Sequence, residues 1–338
     1  MLFLLACAIG TESKSIESGL EDQSNVQEEQ DSTQTSDETN SSDSDNSQDN
    51  TSPEDLPEDT PEDNPEDTPQ DTPQDTPEEP PSLVNYALSG TFSVYERSES
   101  IQVDVCSMDL KIFEPSIPQD LPTVILSHGF ARSADNMVDL ASHYASWGFT
   151  VYVPNLCHAS FLDADPEASA AELMEFAALN NFDEIIYAGY SNGGLVSLIA
   201  GVQDPLALGV VGLDPVDNMN AVGAGYASMM NLVPIYGLIG ESSSCNSENN
   251  SLDFLSPLQE ANLVRVNGSD HCDFEAPTNW MCTSFCSGSS AVSEEEIAET
   301  VRVLSTAALF SLSGFEQQWW DGVGYDDLEL AGKVSPIQ

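Results

Sequence analysis

The chain has 338 residues, of which 58 are acidic and seven are basic, and its formal net charge at pH 7 is −51. A chain this acidic has no basic stripe with which to neutralise phosphates, so its composition excludes nucleic acid as a partner. The acidic residues fall in two parts of different composition, since 24 acids and one lysine precede residue 83, while 34 acids and six basic residues follow it.

The N-terminal stretch MLFLLACAIG is apolar but shorter than the about 20 residues that a membrane-spanning helix needs. It resembles the end of a bacterial lipoprotein signal peptide, in which Leu4, Leu5 and Ala6 precede a Cys7 that is diacylated. It lacks the basic n-region and the full-length apolar core of that pattern. The resemblance implies that residues 1–7 are a signal remnant and that Cys7 carries a lipid anchor. We therefore expect a protein held at the outer membrane or cell surface, with secretion as the alternative.

Residues 8–82 contain almost no large apolar side chains and cannot offset the entropy of folding. Within them, SPEDLPEDTPEDNPEDTPQDTPQDTPEEPP repeats a unit of proline followed by acidic or polar residues. Proline stiffness and charge repulsion keep such a segment extended. We predict a disordered acidic linker over residues 8–82 and a single folded domain over residues 83–338.

The body of the chain alternates strand-like and helix-like patterns. Buried apolar strands that alternate with helices are typical of a mostly parallel sheet with helices on both faces. The fold prediction is therefore α/β, with an eight-stranded sheet whose first two strands form an antiparallel edge. The strand-like runs are TFSVYERS, IQVDVCSMDLKIF, PTVILSHG, FTVYVPN, EIIYAGYS, LGVVGLD, VPIYGLIG and LVRVNG. The helical runs are Ala134 to Trp147, Pro166 to Leu179, Asn192 to Gly201 and Ser293 to Leu312.

Function on such a sheet collects at the carboxyl ends of the strands. Four strand-like runs end on residues whose side chains can act as a nucleophile, an acid or a base. They are His128 with Gly129, then Ser191, then Asp214, then Asp270 with His271. A nucleophile, an acid and a base therefore follow one another in the order Ser, Asp, His.

The motif Gly189-Tyr190-Ser191-Asn192-Gly193, on a strand-to-helix corner, resembles the nucleophile elbow G-x-S-x-G of the α/β-hydrolase superfamily. That resemblance covers residues 90 to 315 and implies an α/β-hydrolase fold. It also implies that the backbone N–H groups of Asn192 and Phe130 form an oxyanion hole. The flanking glycines permit the tight turn that exposes the serine.

The base is expected to be His271. His128 belongs to the oxyanion motif, His143 falls inside a helix, and His158 precedes the nucleophile, which does not fit the family order. His271 would accept the proton of Ser191 and return it to the leaving alcohol.

The sequence indicates the acid of the triad less clearly than the nucleophile or the base. Bacterial polyester hydrolases, which look similar, carry it after the seventh strand, where this chain has Gly240-Glu241-Ser242-Ser243 and a serine replaces the aspartate. Chlorophyllases and platelet-activating-factor acetylhydrolases carry it after the sixth strand, where Asp214 stands. We favour Asp214, and Glu241, Asp217 and Asp270 are the alternatives.

Six cysteines in the body suggest disulfides in an exported chain, although six cysteines allow 15 pairings. Their spacing does not match a zinc site. The stretch after His271 resembles the chlorophyllase and polyester-hydrolase branch, in which a disulfide holds the loop after the histidine. On that resemblance we expect Cys245 to pair with Cys272 and Cys106 with Cys157, which leaves Cys282 and Cys286.

The sequence thus predicts a monomeric extracytoplasmic serine esterase that needs no cofactor or metal and acts on a small or polymeric ester. Phe130, Tyr190 and Trp280 are candidates to line its apolar pocket. One alternative is a lipase or phospholipase, with the insert from Asn218 to Val233 as a lid. The other is an inactive hydrolase fold that serves as a surface binding protein.

Overall fold

The computed structural model describes residues 84–218, 220–288, 290–315, 317–320 and 322–337. The predicted signal remnant with Cys7 and the predicted linker over residues 8–82 lie outside the described residues. All statements below concern the described part of the chain.

A large sheet of nine strands forms the centre, in the order β1-β2-β4-β3-β7-β8-β9-β10-β11. The six strands from β4 to β10 in that order are mutually parallel, whereas β1, β2 and β11 run antiparallel to their neighbours. The mostly parallel α/β architecture is as predicted. The strands of this sheet are β1 (Val94–Val103), β2 (Cys106–Pro115), β3 (Thr123–Ser127), β4 (Thr150–Pro154), β7 (Ile185–Tyr190), β8 (Ala207–Leu213), β9 (Ile235–Ile239), β10 (Ala261–Val266) and β11 (Val334–Pro336).

The predicted strand count of eight is wrong by one. The ninth strand, β11, is a three-residue segment that pairs with β10 at the edge of the sheet. It ends in proline and is too short to show an alternating pattern, which is why the sequence did not reveal it. A separate two-stranded hairpin, β5 (Ala159–Ser160) and β6 (Asp163–Ala164), was also not anticipated.

The antiparallel edge made by the first two strands is confirmed, but their boundary differs from the prediction. Val103 pairs with Cys106, so the chain reverses through Asp104 and Val105. Asp104 has a φ of 44°, a left-handed conformation that aspartate tolerates in turns. The run from Ile101 onward is therefore split between two strands by this turn.

Helices cover both faces of the sheet, and alternate residues of the central strand β7 show it. Ile186, Ala188 and Tyr190 point into the core shared with α1 (Val138–Ser146) and α7 (Glu294–Leu312). Ile185 and Tyr187 point into the core shared with α2 (Pro166–Asn180) and α3 (Asn192–Gln203). A strand that is buried on both faces reads as a continuous apolar run, as EIIYA does.

Two of the long helices, α7 and α2, begin at side-chain caps. Ser293 accepts a hydrogen bond from the Glu296 backbone N–H at 3.2 Å, which fixes the start of α7. Asp165 caps α2 in the same way, with Pro166 at the first helical position. The remaining α-helices are α4 (Val222–Tyr226), α5 (Leu252–Leu255), α6 (Trp280–Cys286), α8 (Gln317–Trp320) and α9 (Val323–Leu330). Among the described residues, no helix combines the length and apolarity needed to cross a bilayer.

Three disulfides join Cys106 to Cys157, Cys245 to Cys286 and Cys272 to Cys282. The first pairing is confirmed, and the expected Cys245–Cys272 pairing is wrong. The helix α6 explains the difference, because it presents Cys282 to Cys272 and Cys286 to Cys245. Three disulfides indicate a chain that matures in an oxidising, extracytoplasmic environment.

Candidate active site

The turn from β7 into α3 puts Ser191 in a strained conformation. Its φ and ψ are 56° and −124°, which a residue with a Cβ rarely adopts. Close packing of the two flanking glycines makes the turn possible. A Cβ on Gly189 would overlap the Gly193 carbonyl, and a Cβ on Gly193 would overlap the carbonyl of His128. In this conformation the serine side chain makes no capping hydrogen bond to α3.

His271 lies between Ser191 and Asp214. Its Nε2 is 2.9 Å from Ser191 Oγ, and its Nδ1 is 2.6 Å from Asp214 Oδ2. A carboxylate can only accept a hydrogen bond, so Nδ1 carries the ring proton and Nε2 is left to accept from the serine hydroxyl. Ser191 is 8% exposed, His271 5% and Asp214 1%. This burial strengthens the electrostatic coupling between the groups because little water screens it.

Asp214 follows β8 at a second strained corner, with a φ of 44°. Its Oδ1 accepts from the Gly240 backbone N–H at 2.9 Å, and its Oδ2 accepts from Asn246 Nδ2 at 3.1 Å as well as from the imidazole. Three donors therefore hold the carboxylate in one orientation. Such donors matter at a buried site, because a carboxylate taken out of water without hydrogen-bond partners is costly.

The other three acids named as alternatives bond elsewhere. Glu241 accepts from the Gly268 backbone N–H at 3.1 Å and is half-exposed. Asp217 accepts from the backbone N–H groups of Asn218 and Gly223, at 2.8 and 2.9 Å. Asp270 caps the short 3-10 helix His271–Phe274 by accepting from the Cys272 N–H at 2.8 Å.

The candidate oxyanion donors lie beside the serine. Asn192 is the first residue of α3, and a Cβ built on Gly129, the neighbour of Phe130, would be 3.1 Å from Ser191 Cβ. Within the described residues, neither the Phe130 nor the Asn192 backbone N–H donates to a protein acceptor. Two unpaired amides next to a nucleophile provide hydrogen-bond donors for an anionic oxygen.

His128 fixes the loop that carries Phe130. Its Nδ1 is 2.8 Å from the Gly129 carbonyl, and its Nε2 accepts from the Leu156 backbone N–H at 3.0 Å. Burial lowers the pKa of His128 to about 4, so the ring is neutral at neutral pH and can accept and donate at the same time. His143 lies inside α1, as expected, and burial likewise lowers its pKa to about 4.

The three residues named as pocket candidates lie in different surroundings. Tyr190 is 1% exposed, and its ring packs against one side of the His271 ring with centroids 4.8 Å apart. Phe130 is half-buried, and its ring meets Phe161 edge-on at 5.0 Å. Trp280 begins α6 and is 74% exposed.

No local pattern in the sequence indicates two features of the site. One is Asn246, which sits in the polar run SSSCNSENN and looks like any loop residue. The other is a buried ion pair in which Arg132 Nε donates to Glu275 Oε2 at 2.8 Å. This pair connects the loop after β3 to the loop after His271. Both features depend on distant segments coming together.

A cleft of about 550 Å³ lies between α7 and the loop after His271, and Ser191 does not line it. Carboxylates dominate its polar lining, and burial raises the pKa of one of them, Asp273, to about 6. The cleft is thus separate from the hydroxyl of the candidate nucleophile.

Comparison with known proteins assigns no family, because no family model matches the chain and no curated protein matches it.

Proposed function

We propose that this protein is a serine hydrolase with an α/β-hydrolase fold that cleaves carboxylic esters through an acyl-enzyme. The observation that carries the proposal is the unbroken hydrogen-bond chain from Ser191 Oγ through the His271 ring to Asp214. A hydroxyl that is hydrogen-bonded to a base, which is in turn oriented by an acid, is the arrangement that activates a serine.

In the proposed reaction, Ser191 Oγ attacks the ester carbonyl while His271 Nε2 takes its proton. Asp214 keeps the ring in the required tautomer and stabilises the imidazolium that forms. The Phe130 and Asn192 amides donate to the developing oxyanion, and each such donor is worth about 3 kcal/mol in the transition state. His271 then protonates the leaving alcohol, and water attacks the acyl-enzyme by the same route. None of these steps calls for a metal or an organic cofactor.

The arrangement of the insert from Asn218 to Val233 favours an esterase over a lipase with a mobile lid. Asp217 Oδ1 accepts from the Gly223 N–H at 2.9 Å at the start of the insert, and Tyr226 donates to Glu167 at 2.7 Å near its middle. A local bond at its start and a bond to α2 near its middle restrain the described part of this segment.

A fluorophosphonate probe tests the proposal directly. We expect it to label wild-type protein at Ser191 and not the Ser191→Ala variant, and we expect wild type to hydrolyse 4-nitrophenyl esters. Asp214→Asn should lose about 10³- to 10⁴-fold in kcat, because the amide forces the wrong tautomer on the base. Glu241→Gln, the matched control, should retain wild-type activity.

Three results would overturn parts of this proposal. Labelling that persists in Ser191→Ala would exclude the serine. Loss of activity in Glu241→Gln with survival of Asp214→Asn would exchange the acids. A wild-type protein that neither reacts with the probe nor cleaves any ester would instead support an inactive binding protein.

We also propose that Cys7 is lipidated and tethers the enzyme to the cell envelope by way of the acidic linker. Support comes from the N-terminal sequence, and the disulfides fit the same compartment. Incorporation of labelled palmitate that is abolished by Cys7→Ser is the expected result, and a secreted, unlabelled wild-type protein would refute it.

A further inference from the structure

The hairpin formed by β5 and β6 carries two apolar side chains into solvent next to the proposed active site. Phe161 is 61% exposed and Leu162 is 99% exposed, and both lie at its tip. Single exposed apolar residues are common on protein surfaces and need no explanation. A pair of adjacent ones beside a candidate nucleophile is different, because contiguous exposed apolar surface marks binding sites.

The hairpin is fixed at its base. The Ala131 N–H donates to the Ala159 carbonyl at 2.7 Å, which joins the hairpin to the loop that carries Phe130. His158 contacts Asp163 at 2.8 Å and Glu172 of α2 at 3.1 Å. The Cys106–Cys157 disulfide holds the residue directly before His158. These contacts hold the apolar tip in a defined position.

Phe161 joins the hairpin tip to the loop that carries Phe130. The rings of Phe161 and Phe130 meet edge-on with centroids 5.0 Å apart, and Phe161 keeps 61% of its surface exposed. Phe130 is the residue whose amide lies beside Ser191. A substrate held by that amide therefore lies beside the Phe130 and Phe161 rings, and Leu162 is the next residue along the hairpin tip.

The charges around the hairpin tip disfavour an anionic substrate. Asp163 lies on the hairpin itself and Asp165 follows it. The nearest basic residue along the loop after β3, Arg132, is only 10% exposed and is already paired with Glu275. An apolar, uncharged group is the occupant that this surface can accept without burying an unpaired charge.

From this arrangement we infer that Phe161 and Leu162 form an apolar subsite that makes the enzyme prefer uncharged esters bearing a hydrocarbon chain over short esters. The inference rests on the proposed function. It assigns the hairpin a role in substrate selection and none in the chemistry.

The test compares kcat/KM for a short and a longer ester in wild type and in variants, below the solubility limit of each ester. One series varies the acyl side, with 4-nitrophenyl acetate against 4-nitrophenyl hexanoate. The other varies the alcohol side, with ethyl acetate against hexyl acetate followed by pH-stat. The variants are Leu162→Ser, the double variant with Phe161→Ala, and the conservative Phe161→Leu. Leu330→Ser, at an 89% exposed leucine of α9, is the control.

We expect the double variant to lose about tenfold in kcat/KM for the longer ester of at least one series, with the short ester within twofold of wild type. Phe161→Leu and Leu330→Ser should keep the wild-type ratio. Leu162 is 99% exposed, so Leu162→Ser removes no buried contact, and it should by itself lower the ratio. An unchanged ratio in both series, or an equal loss in Leu330→Ser, overturns the inference while the esterase proposal stands. A wild type inactive on all four esters overturns both.

Discussion

The acid Asp214 is itself held by Asn246, and replacing this asparagine tests how much the orientation of the carboxylate matters. Asn246 is fully buried, and its Nδ2 donates to Asp214 Oδ2 at 3.1 Å and to the Glu241 carbonyl at 2.8 Å. Its Oδ1 accepts from the backbone N–H groups of Ser243 at 2.8 Å and Asn249 at 3.3 Å. Only this orientation of the amide gives all four partners a complementary group.

In Asn246→Ala the carboxylate of Asp214 keeps two of its three donors, the His271 ring and the Gly240 N–H. The lost hydrogen bond to a charged group is worth about 1.5–3 kcal/mol. We expect about 1–2 kcal/mol of it to appear as a higher barrier, since the remaining donors still restrain the carboxylate. That corresponds to a loss of about 5- to 30-fold in kcat/KM.

Asn246→Asp gives a sharper result. It keeps the shape of the side chain but places a second carboxylate against Asp214 Oδ2 in a buried site. Two such carboxylates can share one proton, and the protonated form restores a donor. We therefore expect the activity of this variant, relative to wild type, to rise as the pH falls from 8 to about 5.5. A side chain that only stabilises the fold would not produce that pH dependence.

Asn250→Ala is the matched control, because Asn250 lies in the same segment and its side chain makes two hydrogen bonds, both to the backbone of Asp217. It should lose stability and keep its kcat/KM. The measurements are ester hydrolysis from pH 5.5 to 8 and urea unfolding for each variant. If both alanine variants lose activity in proportion to their lost stability, or if Asn246→Asp has a flat pH ratio, Asn246 does not position the acid.

Three further predictions test the surroundings of the site. Removing the Cys106–Cys157 bridge should lower the free energy of unfolding by about 4 kcal/mol, and removing the Cys272–Cys282 bridge should lower it by about 3 kcal/mol. These values follow from loop-closure entropy over separations of 51 and 10 residues. Only the loss of the Cys272–Cys282 bridge should also lower kcat, and equal effects of both losses on kcat would contradict this. Burial opposes the charged form of His158, but its two carboxylate partners outweigh burial and raise its pKa, so stability present below about pH 6.5 is lost as the pH rises through the raised pKa. His158→Gln should flatten that fall in urea titrations from pH 6 to 9, and an unchanged slope argues against it. Glu275→Ala leaves Arg132 buried and unpaired and should cost about 3–5 kcal/mol in denaturant unfolding; a cost below 1 kcal/mol would refute the buried pair.

Local patterns were enough to predict the parts of the molecule that local physics determines. Continuous apolar runs predicted the parallel strands, and the helical runs predicted from Pro166 and from Ser293 correspond to α2 and α7. The glycines around Ser191 predicted the corner because close backbone approach there leaves no room for a side chain. Each of these signals lies within a few residues of the feature that it predicts.

The features that the sequence did not reveal depend on contacts between distant segments. Asn246 reaches Asp214 across 32 positions, and Arg132 reaches Glu275 across 143. The expected Cys245–Cys272 bridge was wrong for the same reason. The pairing is decided by a seven-residue helix, α6, too short for its period to be recognised in the sequence.

The register of the sheet explains why the candidate triad assembles from residues so far apart. Tyr190 pairs with Leu213, so the next residues, Ser191 and Asp214, leave adjacent strands at the same level. Both residues then take a left-handed φ, which turns each chain away from the sheet at once and aims the two side chains at the same rim. A shift of one residue between β7 and β8 would bring one of these side chains to the opposite face. The spacing of the triad is thus set by the strand pairing of the core, and the loop that carries His271 has only to reach a position that the sheet has already defined.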